Sequence, residues 1–302
     1  MKLGISITNY SWPGGPSALA NHVVDLARLV DDAGIDTLWV ADHLLQMDPN
    51  ASIDEPMLEA YSTLAFIAGA TRQVQLGTMV TWAPIRPPAL LIKTVTTLDV
   101  LSGGRAWLGV GVGYRGDEAA MAGLPFEPTP ERFSRLEELL QLAAQLWAGD
   151  RTPFEGRHHK LALPINEPRP VSRPRVLIGG MGEQRTLPLV AGYADACNLF
   201  DIPDNGATLE RKLDVLARAC EDAGRDPDEI EVTLSTRLGD GETTTQLTDR
   251  AAALADLGVD HLVFVTTGPW QSGGDIEVLI DAAEPLHTIA PGGAHPTGRS
   301  RP

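Results

Sequence analysis

Cysteine is nearly absent: Cys197 and Cys220 are the only two in 302 residues, and they form no C-x-x-C pair. That excludes a disulfide framework and points to a reducing compartment, with the cytoplasm as the expected location. Lysine is also scarce. Lys2, Lys93, Lys160 and Lys212 are the full set, and none falls at the end of a predicted strand, which argues against Schiff-base chemistry. Positive charge is in deficit overall, with 24 Lys and Arg against 40 Asp and Glu and a net charge of −16. Such a surface repels phosphate backbones and anionic lipid, so neither nucleic acid nor a membrane is an expected partner. No apolar run approaches the ~20 residues that cross a bilayer, and the opening MKLGISITNY lacks the apolar stretch of a secretion signal.

The chain does have a regular alternation of short β-branched runs and longer segments of helical period. The predicted strands are Lys2–Ile7, Thr37–Ala41, Val74–Val80, Ala106–Val112, Arg175–Ile178, Ala196–Phe200, Ile230–Ser235 and His261–Thr266. A helix candidate follows each. The first, near Ser17–Ala33, places Ala20, Val23, Val24, Ala27 and Val30 on one face and ends at Gly34. The fourth opens at Thr129-Pro130-Glu131, read as a capping hydroxyl followed by proline at the first helical position. Eight such units predict a (β/α)₈ TIM barrel, because parallel strands closed on themselves leave no sheet edge. A doubly wound sheet of two lobes is the competitor, but no linker-like composition divides the chain. Residues 1–290 read as a single domain. A short insertion between the fourth helix and fifth strand, Asp150–Pro174, is expected to be able to fold over the barrel mouth. The Gly- and Pro-rich segment 291–302 reads as a disordered tail.

In a barrel of this kind the chemistry sits at the carboxyl ends of the strands. Thr8-Asn9-Tyr10 after the first strand lacks the paired histidines of barrel metal hydrolases, so no metal site is expected. Asp42-His43 after the second strand sets a carboxylate beside an imidazole; the pair suits proton exchange near neutral pH, or else simple capping and packing. Near the third strand, Met79 and Trp82 read as walls for a flat ring or as ordinary packing. Gly179-Gly180-Met181-Gly182-Glu183-Gln184-Arg185-Thr186 offers free backbone N–H groups to an anion, although Glu183 would oppose one; a ligand-free glycine-rich connection is the alternative. His158 and His159, with no third ligand in view, read as solvated. The stretch GVGYRG at Gly111–Gly116 matches the G-x-G-x-x-G of dinucleotide loops. Its context does not, because Asp117–Gly123 allows at most two helical turns and no second strand carries the ribose-binding acid. Gly111 and Gly113 read instead as thinning the wall so that a ring lies against it.

Taken together, LWVADH, LGTMVTW, LDVLSGGRAWLGVGVGY, FEGRHHKL, RPRVLIGGMGE and YADACNLF resemble the luciferase-like flavin-dependent oxidoreductases, in particular their coenzyme F420-dependent branch. The resemblance runs in order along nearly the whole chain. It implies a TIM barrel that binds F420, or FMN, at its carboxyl-terminal mouth. By the same resemblance Asp42 and His43 lie beside the cofactor ring, with His43 the catalytic residue nearest the carbon that carries the hydride. Thr78, Met79 and Val80 match the bulge that backs the ring, with a cis peptide between Met79 and Val80. Gly180, Met181, Gly182 and Glu183 match the loop that receives the coenzyme phosphate, and Asn198 lies in the neighbouring part of that pattern. Glu59 and Tyr61 belong to the pattern without an assigned role.

Tyr114 stands where sugar-phosphate dehydrogenases of the family carry an acid, and Met47 where they carry tryptophan, which argues against glucose 6-phosphate as substrate. The leading reading is an oxidoreductase that moves a hydride between F420 and a small organic substrate, with Tyr10 and Tyr114 as substrate contacts. The alternatives are an FMN-dependent monooxygenase and a non-catalytic flavin- or deazaflavin-binding protein. A homodimer is common in the family.

Overall fold

The computed structural model describes residues 1–271 and 273–290; the segment read as a disordered tail, 291–302, lies outside them. Its main sheet is parallel throughout and contains β1 (Lys2–Ile7), β2 (Thr37–Val40), β3 (Gln75–Thr78), β4 (Thr81–Trp82) and β5 (Trp107–Gly111). After a small antiparallel hairpin of β6 (Phe154–Glu155) and β7 (Lys160–Leu161), it continues with β8 (Arg175–Gly179), β9 (Ala196–Phe200), β10 (Glu231–Thr236) and β11 (His261–Val265). The sheet order is β3-β2-β1-β11-β10-β9-β8-β5-β4, and the parallel bridge between Leu76 and Ala106 brings its two ends together as a barrel.

The main sheet has nine strands where eight were predicted, because a two-residue strand follows the third run. Within that run β3 pairs with β2, and β4, just past its predicted end, pairs with β5. Between them lie Met79 and Val80, joined by a cis peptide. The single strand Val74–Val80 is thereby corrected: the ladder stops at Thr78, and the chain crosses from one neighbour to the other.

The helices are α1 (Pro16–Asp32), α2 (Ala60–Ala70), α3 (Pro88–Ser102), α4 (Gly116–Ala122), α5 (Thr129–Ala148), α6 (Thr186–Tyr193), α7 (Ala207–Ala223), α8 (Thr244–Asp256) and α9 (Asp275–His287). None of the described helices is long and apolar enough to cross a membrane. In α1 Val23, Ala27 and Val30 of the predicted stripe are at most 1% exposed, whereas Ala20 is exposed and Val24 half-buried, and Leu19 and Leu26 complete the buried face. In α5 Leu136, Leu139, Leu140, Ala143 and Leu146 pack inward, and the helix ends at Gly149 (φ 72°). The expected cap at Thr129 is not formed: Thr129 is already helical, Pro128 precedes it, and the hydroxyl accepts from Arg132 Nη2 at 3.0 Å instead.

Two apolar layers result. A large one joins the helices to the outside of the sheet. A small one fills the barrel interior, where Trp39 and Trp107 meet edge to face at 5.4 Å beside Leu177, Ala196 and Val263. Met79 and Val80 pack onto this inner plug, so the barrel is solid below them and open above.

The insertion does not cover the mouth. It packs against the outer helices: Asn166 Nδ2 donates to Thr96 Oγ1 at 3.0 Å, and the Val171 N–H donates to Asp99 Oδ2 at 2.7 Å. The histidines read as solvated are partly buried there, the His158 side chain only 9% exposed. The backbone N–H groups of Arg157, His158 and His159 all donate to Glu138 of α5. Burial depresses the His159 pKa below the ordinary imidazole value.

Candidate active site

At the carboxyl ends of the barrel strands lies a cavity of about 950 Å³. All of them contribute, from Thr8 after β1 and Asp42-His43 after β2 to Arg237 after β10 and Thr266-Thr267 after β11. Met79 and Val80, above the inner plug, give it an apolar floor.

The Thr78–Trp82 segment is held by a relay of hydroxyls. Burial raises the Tyr61 phenol pKa, so it stays protonated and donates. Tyr61 Oη lies 2.6 Å from Thr81 Oγ1, which lies 2.6 Å from Thr78 Oγ1, which donates to the Gly109 carbonyl at 2.9 Å. One proton per hydroxyl satisfies the chain from end to end. Opposite, the wall is stripped of side chains where this segment presses against it. A Cβ on Gly111 would stand 2.8 Å from Val80 Cγ2, one on Gly179 2.9 Å from Val80 Cγ1, and one on Gly113 2.2 Å from Trp82 Nε1. Gly111 and Gly113 line the cavity themselves, and their missing Cβ atoms also admit Val80 and Trp82.

Asp42 anchors the same segment. It accepts from the Trp82 N–H at 3.1 Å and from Arg86 through Nε (3.1 Å) and Nη2 (2.5 Å), a two-point pairing that ties the end of β2 to the start of α3. Arg86 also reaches Glu59 at 3.3 Å and lies over the Tyr61 ring at 5.2 Å. Glu59 in turn accepts from the Ser62 N–H at the start of α2. Glu59 and Tyr61, unassigned from sequence, thus brace Arg86 and the Thr78–Trp82 segment. Asp42 does not orient His43.

Glu118 takes that position. Its Oε2 lies 2.7 Å from His43 Nδ1, while Oε1 accepts from the N–H groups of Leu44 (2.7 Å) and Leu45 (3.3 Å). Glu118 is fully buried, and the His43 side chain keeps 21% exposure in the cavity lining. The Tyr114 ring, 75% exposed, meets His43 edge-on at 6.4 Å.

The remaining predicted residues divide. Gly180 and Asn198 line the cavity. Asn198 is fixed by Thr233 Oγ1, which donates to Oδ1 at 2.8 Å, and by Ser235 Oγ, which accepts from Nδ2 at 3.0 Å. Met181, Gly182 and Glu183 fall outside the lining. Met181 sulfur accepts from the Phe200 N–H at 3.4 Å. The Glu183 carboxyl is drawn to Lys212 at 2.6 Å, which holds it below the usual carboxylate range and removes its opposition to an anion at that loop. Tyr10 is misplaced as a substrate contact: it is completely buried, edge-on to Trp12 at 5.8 Å, and outside the cavity. Among the described residues no cluster of three or more His, Cys, Asp or Glu could hold a metal.

Sequence reasoning missed Glu118 and Arg86. Glu118 left no local signal, since it sits in a short acidic helix 75 residues from its partner. Arg86 left a weak one, a cation placed between the strand-three bulge and the Pro-Pro that opens α3.

Residues 1–284 match the family model described as luciferase-like monooxygenase. An F420-dependent glucose-6-phosphate dehydrogenase of Kineococcus radiotolerans is 31% identical over 264 residues, which is 86% of this chain and 74% of that protein. An F420-dependent hydroxymycolic acid dehydrogenase of Mycobacterium tuberculosis is 30% identical over 68% of this chain and 56% of its own. The coenzyme F420-dependent tetrahydromethanopterin reductase of Methanopyrus kandleri superimposes with a TM-score of 0.72 over 96% of this chain and 98% of its own, at 18% identity. At that identity the likeness speaks for the fold.

Proposed function

Because the chain belongs to the luciferase-like monooxygenase family, we propose that it is an oxidoreductase that uses coenzyme F420 to exchange a hydride with a small organic substrate at the barrel mouth. The names of its curated relatives support the cofactor. The site suits a flat ring system: the cavity of about 950 Å³ is at the upper end of the range for small-molecule and cofactor pockets, with an apolar Met79–Val80 floor and polar groups around it.

The observation that carries the reading is the His43 imidazole. Nδ1 is committed to Glu118, and Nε2 has no partner among the described residues, in a side chain that lines the cavity. When bound, the deazaflavin supplies the two-electron acceptor or donor. The protein holds the ring against Met79 and Val80, fixes that segment through Asp42, Arg86 and the hydroxyl relay, and moves the accompanying proton at His43 Nε2. Asn198 and the Gly179-Gly180 backbone offer it polar contacts.

Quenching of F420 fluorescence by the purified protein, measured beside FMN, tests the assignment. Saturable F420 binding with a weaker FMN response is expected. Tight FMN binding with no F420 response would overturn it in favour of a flavin monooxygenase.

A further inference from the structure

We propose that Glu118 sets the tautomer of His43 and thereby makes Nε2 the one ring nitrogen that exchanges a proton with substrate; this rests on the reading of the mouth as a hydride-transfer site. The division of labour between the two Glu118 oxygens carries the argument. Oε1 is occupied by the Leu44 and Leu45 N–H groups, and Oε2 faces Nδ1 at 2.7 Å. A carboxylate only accepts, so Nδ1 must carry the hydrogen in the neutral ring as well as in the imidazolium. The Nε2 lone pair is then presented to the cavity, and protonation and deprotonation both occur there.

In the oxidative direction, with an alcohol as substrate, the hydroxyl proton passes to the Nε2 lone pair. The O–H electron pair would become the second bond of the carbonyl as the C–H bond breaks, and F420, held at the mouth, would supply the two-electron acceptor for the hydride that leaves. The reverse reaction returns the same proton from Nε2 to the carbonyl oxygen. Glu118 touches neither substrate nor cofactor in this scheme. It is a positioning residue, delivered by the short helix α4 from the far side of the β5–α5 connection.

The same geometry makes an unusual demand on Glu118→Gln. The Leu44 and Leu45 N–H groups require an oxygen, so the amide oxygen must occupy the Oε1 place and the NH₂ must point at Nδ1. The ring can accept that donor only by moving its hydrogen to Nε2. The substitution is close to isosteric and inverts the tautomer. In an acid–base histidine held by a carboxylate, losing the right tautomer lowers turnover by about 10²–10⁴-fold.

The test is ¹⁵N NMR of the full chain labelled at histidine, with His43→Asn identifying the resonances. Wild type is expected to show a neutral His43 protonated at Nδ1, Glu118→Gln one protonated at Nε2, and Glu118→Asp a return to Nδ1. Turnover in Glu118→Gln should fall about 10²–10⁴-fold while the F420 dissociation constant stays within about threefold of wild type. A wild-type ring protonated at Nε2, or a Glu118→Gln ring still protonated at Nδ1, overturns the proposal; the wild-type spectrum alone decides if Glu118→Gln fails to fold. If the tautomers invert as stated but F420 does not bind, the hydride-transfer reading fails and the tautomer control stands.

Discussion

The barrel carries a histidine–glutamate pair at each end. At the amino-terminal floor, His261 Nδ1 lies 2.9 Å from Glu231, and at the mouth, His43 Nδ1 lies 2.7 Å from Glu118. On the floor the second ring nitrogen is also used: Nε2 of the fully buried His261 lies 2.9 Å from Thr37 Oγ1, which accepts from Trp39 Nε1 at 2.8 Å. Glu231 is further bound by Lys2 (2.7 Å) and Arg175 (2.6 Å), and the Arg175 guanidinium lies over the Trp107 ring at 4.2 Å. Every valence of that imidazole is spent on the fold. At the mouth one is left over, and it opens on a cavity. The lesson is that the pair itself does not mark chemistry; the unspent nitrogen does.

The strongest way to break this comparison is to remove the floor carboxylate. Glu231→Ala leaves Lys2, Arg175 and His261 facing one another without their counter-charge and is expected to cost about 3–5 kcal/mol of stability in urea denaturation. His43→Ala should lower turnover about 10²–10⁴-fold and cost less stability than Glu231→Ala, about 1–3 kcal/mol, because it leaves the buried Glu118 Oε2 without its partner while Oε1 keeps the Leu44 and Leu45 N–H groups. Equal losses of stability in the two variants would erase the distinction.

A subtler difference lies in acid. Burial opposes ionisation of Glu231, but His261, Lys2 and Arg175 outweigh it and hold its carboxyl well below the usual range. The unfolded chain therefore takes up a proton that the folded chain refuses. This contribution to stability is complete above the ordinary carboxylate pKa of about 4.3 and fades as pH falls toward the folded value. Denaturation midpoints measured from neutral pH downward should show that loss in wild type and a flatter profile in Glu231→Gln. The smallest effect is expected at the rim. Tyr114→Ala should leave stability within about 0.5 kcal/mol and alter the relative turnover of alternative substrates, since the side chain is exposed and faces the cavity entrance.

Much of the architecture was legible because a parallel barrel repeats one physical unit: a short buried strand followed by a helix packed on its outside, several of these helices, such as α3, α5 and α7, closing on a left-handed glycine. The bulge of strand three was visible only through resemblance, since Thr78-Met79-Val80-Thr81 has the composition of uninterrupted strand. At the mouth, strand-end residues such as His43, Asp42 and Asn198 could be placed because strand ends are fixed by the fold. What bonds to them could not. Asp42 stands next to His43 in sequence, yet successive side chains at a strand end diverge, and Asp42 goes to Arg86 while His43 goes to Glu118. Tyr10 fails for a related reason: three residues past β1 its ring is already completely buried, edge-on to Trp12, and does not reach the cavity.

The placement of Glu118 bears on how this barrel can be re-engineered. The connection that leaves β5 carries Tyr114 on the rim and, four positions later, the acceptor for His43. Barrel loops are usually treated as exchangeable parts, swapped to alter which molecules are accepted while the reaction centre stays behind on the strands. Here one loop belongs to both compartments. A chimera that imports another β5 connection will bring a different entrance and will also remove the histidine's partner, unless the donor supplies a buried carboxylate that reaches the same three N–H groups. Modularity in this barrel therefore stops at Glu118.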